Sequence, residues 1–145
     1  MNGVVTAPLP ALRIDGAEFL VADPAIEKIG PPVFRSVLLS TGAAAPFING
    51  SGVTAAEVAT IFNTPGTNTN SAFVSTLTNT FVNGANETAA TATDPKTIDA
   101  LFDTTAYVGA VRDATDTWYE GWTCSSATAN FGTTSTACTS LPSLN

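Results

Sequence analysis

The chain contains no histidine. That single absence removes Ser/His/Asp and Cys/His nucleophile activation, imidazole metal sites and imidazole-based pH switching. Charge is scarce as well: 12% of residues are Asp, Glu, Lys or Arg, against a usual share of about 25%. Five basic residues face twelve acidic ones, giving a net charge of -7, so the cation density that neutralises a phosphate backbone is missing. Nucleic acid and anionic membranes are therefore not expected partners. No apolar run approaches the roughly 18 residues of a membrane span. The opening Met1-Asn2-Gly3 lacks the basic stretch and apolar core of a signal peptide. No G-x-G-x-x-G, P-loop, nucleophile elbow, C-x-x-C or H-E-x-x-H pattern occurs, and neither a cofactor nor a metal is expected.

What is present is a small, hydroxyl-rich globular sequence. At 145 residues it suits one domain, 1–145, large enough to bury about 68–70% of its unfolded surface. Mean hydropathy is +0.22, and threonine and alanine dominate with 24 and 23 residues, so the exterior must be built from hydroxyls and small side chains. Few lysines, many Thr, Ser, Asn and Gly, and one late cysteine pair suit an extracellular or cell-surface protein. This points to a fragment of a longer exported protein that has lost its signal. Cys124 and Cys138 are expected to form a disulfide, whose loop closure is worth about 3 kcal/mol. The alternatives are two separate buried thiols or a metal site, the latter short of ligands.

Along the chain, Ala11–Ala22 alternates about Asp15-Gly16 and predicts two short strands joined at a turn. Asp23-Pro24 opens a short helix or turn that runs to Lys28. Val33–Leu39 favours a strand, and Thr41–Ser51 is a loop. Thr54-Ala55-Ala56-Glu57 matches the S/T-x-x-E capping box, with Val58, Ile61 and Phe62 on one helical face. A loop with a turn at Pro65-Gly66 follows. Phe73, Val74, Leu77 and Phe81 then fall at helical spacing, and Thr88–Thr93 reads as exposed. Asp94-Pro95 starts a further helix that buries Ile98, Leu101 and Phe102. Tyr107–Val111 and Trp118–Trp122 read as strands about a polar turn at Asp113–Thr117. No internal repeat is visible within these residues.

Three features could carry chemistry. The carboxylates Asp103, Asp113, Asp116 and Glu120 could supply the pair that glycoside hydrolysis needs, or a calcium site, although the dedicated calcium-loop spacing is absent. Asp113 and Asp116 bracket a turn, where aspartate satisfies local amides. The aromatics Tyr107, Trp118, Tyr119 and Trp122 suit sugar stacking or an interface, or simply a buried cluster beside the disulfide. Strand alternation would put Trp118, Glu120 and Trp122 on one side and Tyr119 on the other. Asn49-Gly50-Ser51 and Asn86-Glu87-Thr88 are formal glycosylation acceptors that an Asn- and Thr-rich chain produces by chance.

The segment Leu101–Val111, which contains Tyr107-Val108-Gly109-Ala110, followed by Asp116-Thr117-Trp118-Tyr119-Glu120-Gly121-Trp122-Thr123, resembles the C-terminal signature of a group of exported bacterial surface proteins. Its pattern is FF-x-x-x-x-Y-[IV]-G-A and then D-x-W-x-x-GWT, with Leu101 standing where the first Phe belongs. Val33–Leu39 and Gly52–Glu57 also look like the segment that precedes this signature. The resemblance implies an upstream right-handed parallel β-helix, unassigned function and no catalytic residues. The resulting expectation is an α+β fold, with short strands and two or three short helices, serving as the terminal cap of a β-helix. Its function would be structural or surface assembly rather than enzymatic, with a second copy or the upstream β-helix as partner. Tyr107, Asp116, Trp118, Tyr119 and Trp122 are the candidate interface or ligand residues. A glycan-binding module that uses Trp118 and Trp122, and a carboxylate glycosidase, are the alternatives.

Overall fold

The computed structural model describes residues 1–21, 30–64, 66–120, 122–127, 129–132 and 135–138. The expected element at Asp23–Lys28 lies outside them, as does Pro65 of the expected turn. The fold is a small mixed α+β one whose backbone is organised by parallel pairing. Strand β1 (Gly3–Thr6) lies beside strand β2 (Val37–Ser40), with Gly3 opposite Val37 and Thr6 opposite Ser40. A third line of chain follows β2 on its other side. Arg35 bridges Thr67 and Leu38 bridges Asn70, both in parallel, and the Leu39 amide donates to the Asn70 carbonyl at 2.8 Å. The first two coils meet again where Leu12 bridges Phe47. Partners lie roughly thirty residues apart in the chain, so the fold repeats a winding that no sequence repeat announces.

Parallel strands need long crossovers, and here the crossovers build the core. Helix α1 (Ala55–Asn63) lies in the second crossover and starts at the expected capping box. The Thr54 hydroxyl accepts from the Glu57 amide at 3.3 Å, and the Glu57 carboxylate accepts from the Thr54 amide at 2.8 Å. The hydrogen bonds that Thr54 donates, from its amide and its hydroxyl, hold the Glu57 carboxyl below its ordinary value. The buried face is Val58, Ile61 and Phe62, as the periodicity requires. Val58 and Ile61 pack with Ile14 and Val53, flanked by Leu12, Leu20, Phe34 and Phe47. The Phe62 ring tilts against Phe34 at 5.2 Å and Phe47 at 5.4 Å. A second, smaller cluster joins Val82, Val111 and Tyr119, with Phe81 and Phe131 against them.

One corner of the winding is conformationally unusual. Asn2, Ser36 and Asn68 have φ of 52°, 51° and 53°, and the pairing register places them side by side, one per coil. Left-handed backbone is uncommon outside glycine, so this corner must be held by its surroundings. Thr93 does so. Its carbonyl accepts from Asn2 Nδ2 at 2.7 Å, its amide donates to Asn2 Oδ1 at 2.9 Å, and its hydroxyl sits 2.8 Å from the buried Ser36 Oγ. Thr93 is thus half-buried rather than part of a fully exposed run.

Four expectations are corrected. Neither expected strand of Ala11–Ala22 forms among the described residues: Leu12 keeps a single bridge to Phe47, and after Gly16, at φ 98°, the chain makes a 3-10 turn, Ala17–Leu20; Phe19 and Val21 are exposed, so alternation had no buried side to serve. The helix expected over Phe73–Phe81 is absent. Phe73 and Ser75 instead donate main-chain hydrogen bonds to Leu39 O and Ser40 Oγ, and Asn79 and Thr80 are left-handed. Threonine, serine and asparagine favour helices weakly, and the pairing with β2 wins. The Asp94-Pro95 start is correct, with Asp94 Oδ1 accepting from the Lys96 amide at 3.1 Å, but only one 3-10 turn, Pro95–Thr97, follows. Leu101 is consequently 87% exposed, and Ile98 and Phe102 are exposed too, instead of buried. The strand at Val33–Leu39 is found later and shorter, as β2.

Helix α2 (Ala85–Ala89) carries Glu87, a carboxylate with no exposed surface. Ser75 Oγ and the Thr76 amide donate to Oε1 at 2.8 and 2.9 Å, and Thr76 Oγ1 and the Gly84 amide donate to Oε2 at 2.7 and 3.2 Å. Burial pushes this carboxyl up, but the hydrogen bonds from Thr76 and Ser75 outweigh it and leave it below the ordinary 4.5. A depressed folded value means the stabilisation is present above the unfolded value and is lost as pH falls through the folded one. Glu87→Gln should cost about 1–3 kcal/mol at neutral pH, because an amide donor then faces donors. It should also make the loss of stability towards about pH 3 shallower than in wild type, as read from urea denaturation at both pH values.

Candidate functional site

The residues singled out in the signature fall around the second cluster. Val82 bridges Val111 in parallel, and the Asn83 amide donates to the Val111 carbonyl at 3.0 Å. The Asn83 side chain reaches the same segment, its Nδ2 donating to the Val108 carbonyl at 2.6 Å. Val108 and Val111 are buried. Between them Gly109 takes φ of 98° and donates its amide to the Asn2 carbonyl at 2.9 Å. The Val-Gly-Ala-Val stretch therefore clasps the Asn83 turn to the first coil. It is bent backbone with one bridge at Val111, not the expected strand, because its main chain serves two different neighbours rather than one ladder.

The turn that follows uses its carboxylates locally. Asp113 Oδ1 accepts from the Thr115 amide at 2.8 Å and from its hydroxyl at 2.6 Å, and Asp113 Oδ2 accepts from Arg112 Nε at 3.0 Å. The Thr115 hydroxyl and amide, helped by Arg112, bring this carboxyl down to about 2. Asp116 Oδ2 accepts from the Arg112 amide at 3.0 Å. Asp113 and Asp116 thus do the work expected of turn aspartates. Asp103 is exposed on a separate stretch, and Glu120 is half-buried, its carboxylate lying where a side chain at Gly132 would be. Among the described residues, no group of three or more Cys, Asp or Glu side chains could hold a metal, and no helix is long and apolar enough to cross a membrane.

The aromatics are divided rather than pooled. Tyr119 is buried, edge-on to Phe81 at 4.9 Å and 6.0 Å from the Phe131 ring, while Phe81 stacks on Phe131 at 4.5 Å. Trp118 meets Tyr119 edge-on at 6.2 Å and donates Nε1 to the Ala110 carbonyl at 3.2 Å, yet it remains 62% exposed. Trp122 is 88% exposed and makes no ring contact among the described residues. Tyr107 is half-buried. Trp118, Tyr119, Glu120 and Trp122 lie in turns and not in the expected strand: the Glu120 amide donates to Thr117 O at 3.0 Å and the Trp122 amide to Tyr119 O at 3.3 Å. With the strand gone, the alternation expected to set Tyr119 opposite both tryptophans has no basis; Tyr119 is buried while Trp118, in contact with it, and Trp122 are exposed.

Cys124 and Cys138 form the expected disulfide, with Cα atoms 5.0 Å apart. Beside it, Ser125 bridges Ala137, and the Cys138 amide donates to the Ser125 carbonyl at 2.8 Å. At both formal glycosylation sequences the asparagine side chain is engaged. Asn49 Oδ1 accepts from the Ala55 amide at 2.7 Å, and Asn86 Nδ2 donates to the Val74 carbonyl at 2.8 Å. Sequence reasoning passed over Asn2, Asn83 and Glu87, the polar residues with the most consequential partners. Only Glu87 left a trace, as the fourth residue of a Gly-x-x-Glu helix start.

No family model, curated protein or solved structure matches the chain.

Gly109 is the signature position with the sharpest requirement. A methyl group there would run into Asn83 Oδ1, a buried atom without a hydrogen-bond partner among the described residues, at a φ that side chains disfavour. Gly109→Ala is therefore expected to destabilise by about 2 kcal/mol or more, whereas Ala110→Gly, at an exposed neighbour, should cost under about 1 kcal/mol. Thermal or urea unfolding of the two variants checks the contrast.

Proposed function

We propose that this chain is a non-enzymatic structural module of an exported surface protein, one that caps or docks onto a parallel β-helix. The observation that carries the reading is the parallel stacking of β1, β2 and the Thr67–Asn70 line, with left-handed residues aligned at one corner. A chain wound in this way offers main-chain edges in the direction that a parallel coil can extend. A β-helix in turn ends in unpaired edges that need cover. The chemistry of the surface agrees with a passive role: the turn aspartates are engaged with their own loop, and the disulfide suits an oxidising compartment.

The test is a fusion. Placed at the C-terminal end of a parallel β-helix stripped of its own terminal cap, the chain should restore solubility and raise the thermal midpoint of that β-helix. A fusion that aggregates like the uncapped parent would overturn the reading.

A glycan-binding role has one observation in its favour, the exposure of Trp118 and Trp122 beside a rigid aromatic cluster. It expects binding on a glycan array that Trp118→Ala abolishes while near-UV circular dichroism still reports a packed Tyr119. An array without signal removes it.

A further inference from the structure

A cleft of about 380 Å³ opens beside the third line of chain, between it and the end of α2. Leu38, Asn68, Asn70, Phe73, Asn86 and Thr91 line it, and the other lining residues are uncharged as well. Small-molecule sites begin at about this size and combine apolar walls with a few fixed polar groups. The apolar part here is the buried Leu38 and the half-buried Phe73 ring.

The polar part is three exposed asparagines with hydrogen-bonding capacity to spare. Asn70 Oδ1 accepts from the Ala72 amide at 2.9 Å, which orients the side chain and leaves Nδ2 as the unused donor. Asn86 is the converse: Nδ2 donates to the Val74 carbonyl at 2.8 Å, and Oδ1 is the unused acceptor. Asn68 is the left-handed corner residue of the third coil. In the first two coils the corner side chains, Asn2 and Ser36, are bonded to Thr93. Among the described residues, no hydrogen bond reaches the Asn68 side-chain amide, Asn70 Nδ2 or Asn86 Oδ1.

These groups select a ligand by charge and polarity. An anion would enter a cleft without a cation, on a chain of net charge -7. A cation would need a carboxylate, and Glu87, next to Asn86, has no exposed surface and four donors of its own. A hydrocarbon would strand the unused amide groups. What fits is an uncharged molecule rich in groups that both donate and accept, with C–H faces to set against Phe73. Sugar hydroxyls do both, and a pyranose ring offers such a face to an aromatic side chain. Peptides are held mainly through main-chain pairing at a sheet edge, whereas the unused groups here are side-chain amides.

We propose that this cleft binds an uncharged saccharide, held by the side-chain amides of Asn68, Asn70 and Asn86 with a ring face against Phe73. The site goes beyond the capping role, and neither tryptophan lines it. Because β2 lies between β1 and the third line, a coil paired with β1 leaves the cleft open.

The test is a titration of the 15N-labelled full chain, followed by NMR, with glucose, galactose, mannose, xylose and their disaccharides up to about 20 mM. At least one of them is expected to shift the side-chain amide resonances of Asn68, Asn70 and Asn86 together, while glucuronic and galacturonic acids do not. Asn68→Gly removes one amide at a φ that glycine adopts freely, and Ala89→Leu fills part of the cleft. Each should weaken binding about fivefold or more with an unchanged thermal midpoint. No response to any of the neutral sugars would overturn the proposal. So would equal binding of the acids, shifts confined to the Trp118 and Trp122 indole N–H, a response to triglycine alone, or affinity unchanged in both variants. The β-helix fusion reads none of these outcomes, so the saccharide site and the capping role fail separately.

Discussion

Parallel main-chain pairing between distant coils is the constraint on which the rest of this structure depends. With strands of four residues and two small apolar clusters, side-chain burial alone leaves many main-chain groups to satisfy. Backbone amides and carbonyls removed from water need partners, and β2 supplies them on both of its sides, to β1 and to the Thr67–Asn70 line. Each pairing forces a long crossover, and the crossovers place α1 and the Phe34, Phe47 and Phe62 rings where they can pack.

Scarcity of charge shapes what holds the coils together. Between Ser36 and Asn86 the only charged side chain is Glu57, and the contacts there are made by hydroxyls, amides and main chain. The left-handed corner is tied by Thr93 to Asn2 and Ser36. Glu87, buried and with no cation beside it among the described residues, is neutralised in effect by four donors from Ser75, Thr76 and Gly84. Threonine and serine suit this task because one short side chain can both donate and accept, which gives the hydroxyl-rich composition a structural reason.

How far residues could be read in advance depended on whether their partners were local. The Thr54 capping box and the Val58, Ile61, Phe62 face were legible because both partners of each hydrogen bond and each packing pair lie within a few positions. The turn at Asp113–Thr117 was legible for the same reason. Phe73–Phe81 was misread: its apolar spacing fits a helix equally well, and the competing partner, β2, lies more than thirty residues earlier. Which of Tyr119, Trp118 and Trp122 packs inward was not legible, because it was decided by the distant Phe81 and Phe131 rings.

By itself, then, the sequence determined the acidic, histidine-free, hydroxyl-rich chemistry, the α1 start, the turn aspartates and the Cys124–Cys138 pairing, all of them set by composition or short-range geometry. Only the tertiary structure decided that the chain winds into stacked coils and that Asn2, Ser36 and Asn68 align at one left-handed corner. Those features arise from pairings between residues far apart in the chain, for which backbone hydrogen bonding supplies the energy but no side-chain pattern supplies the address.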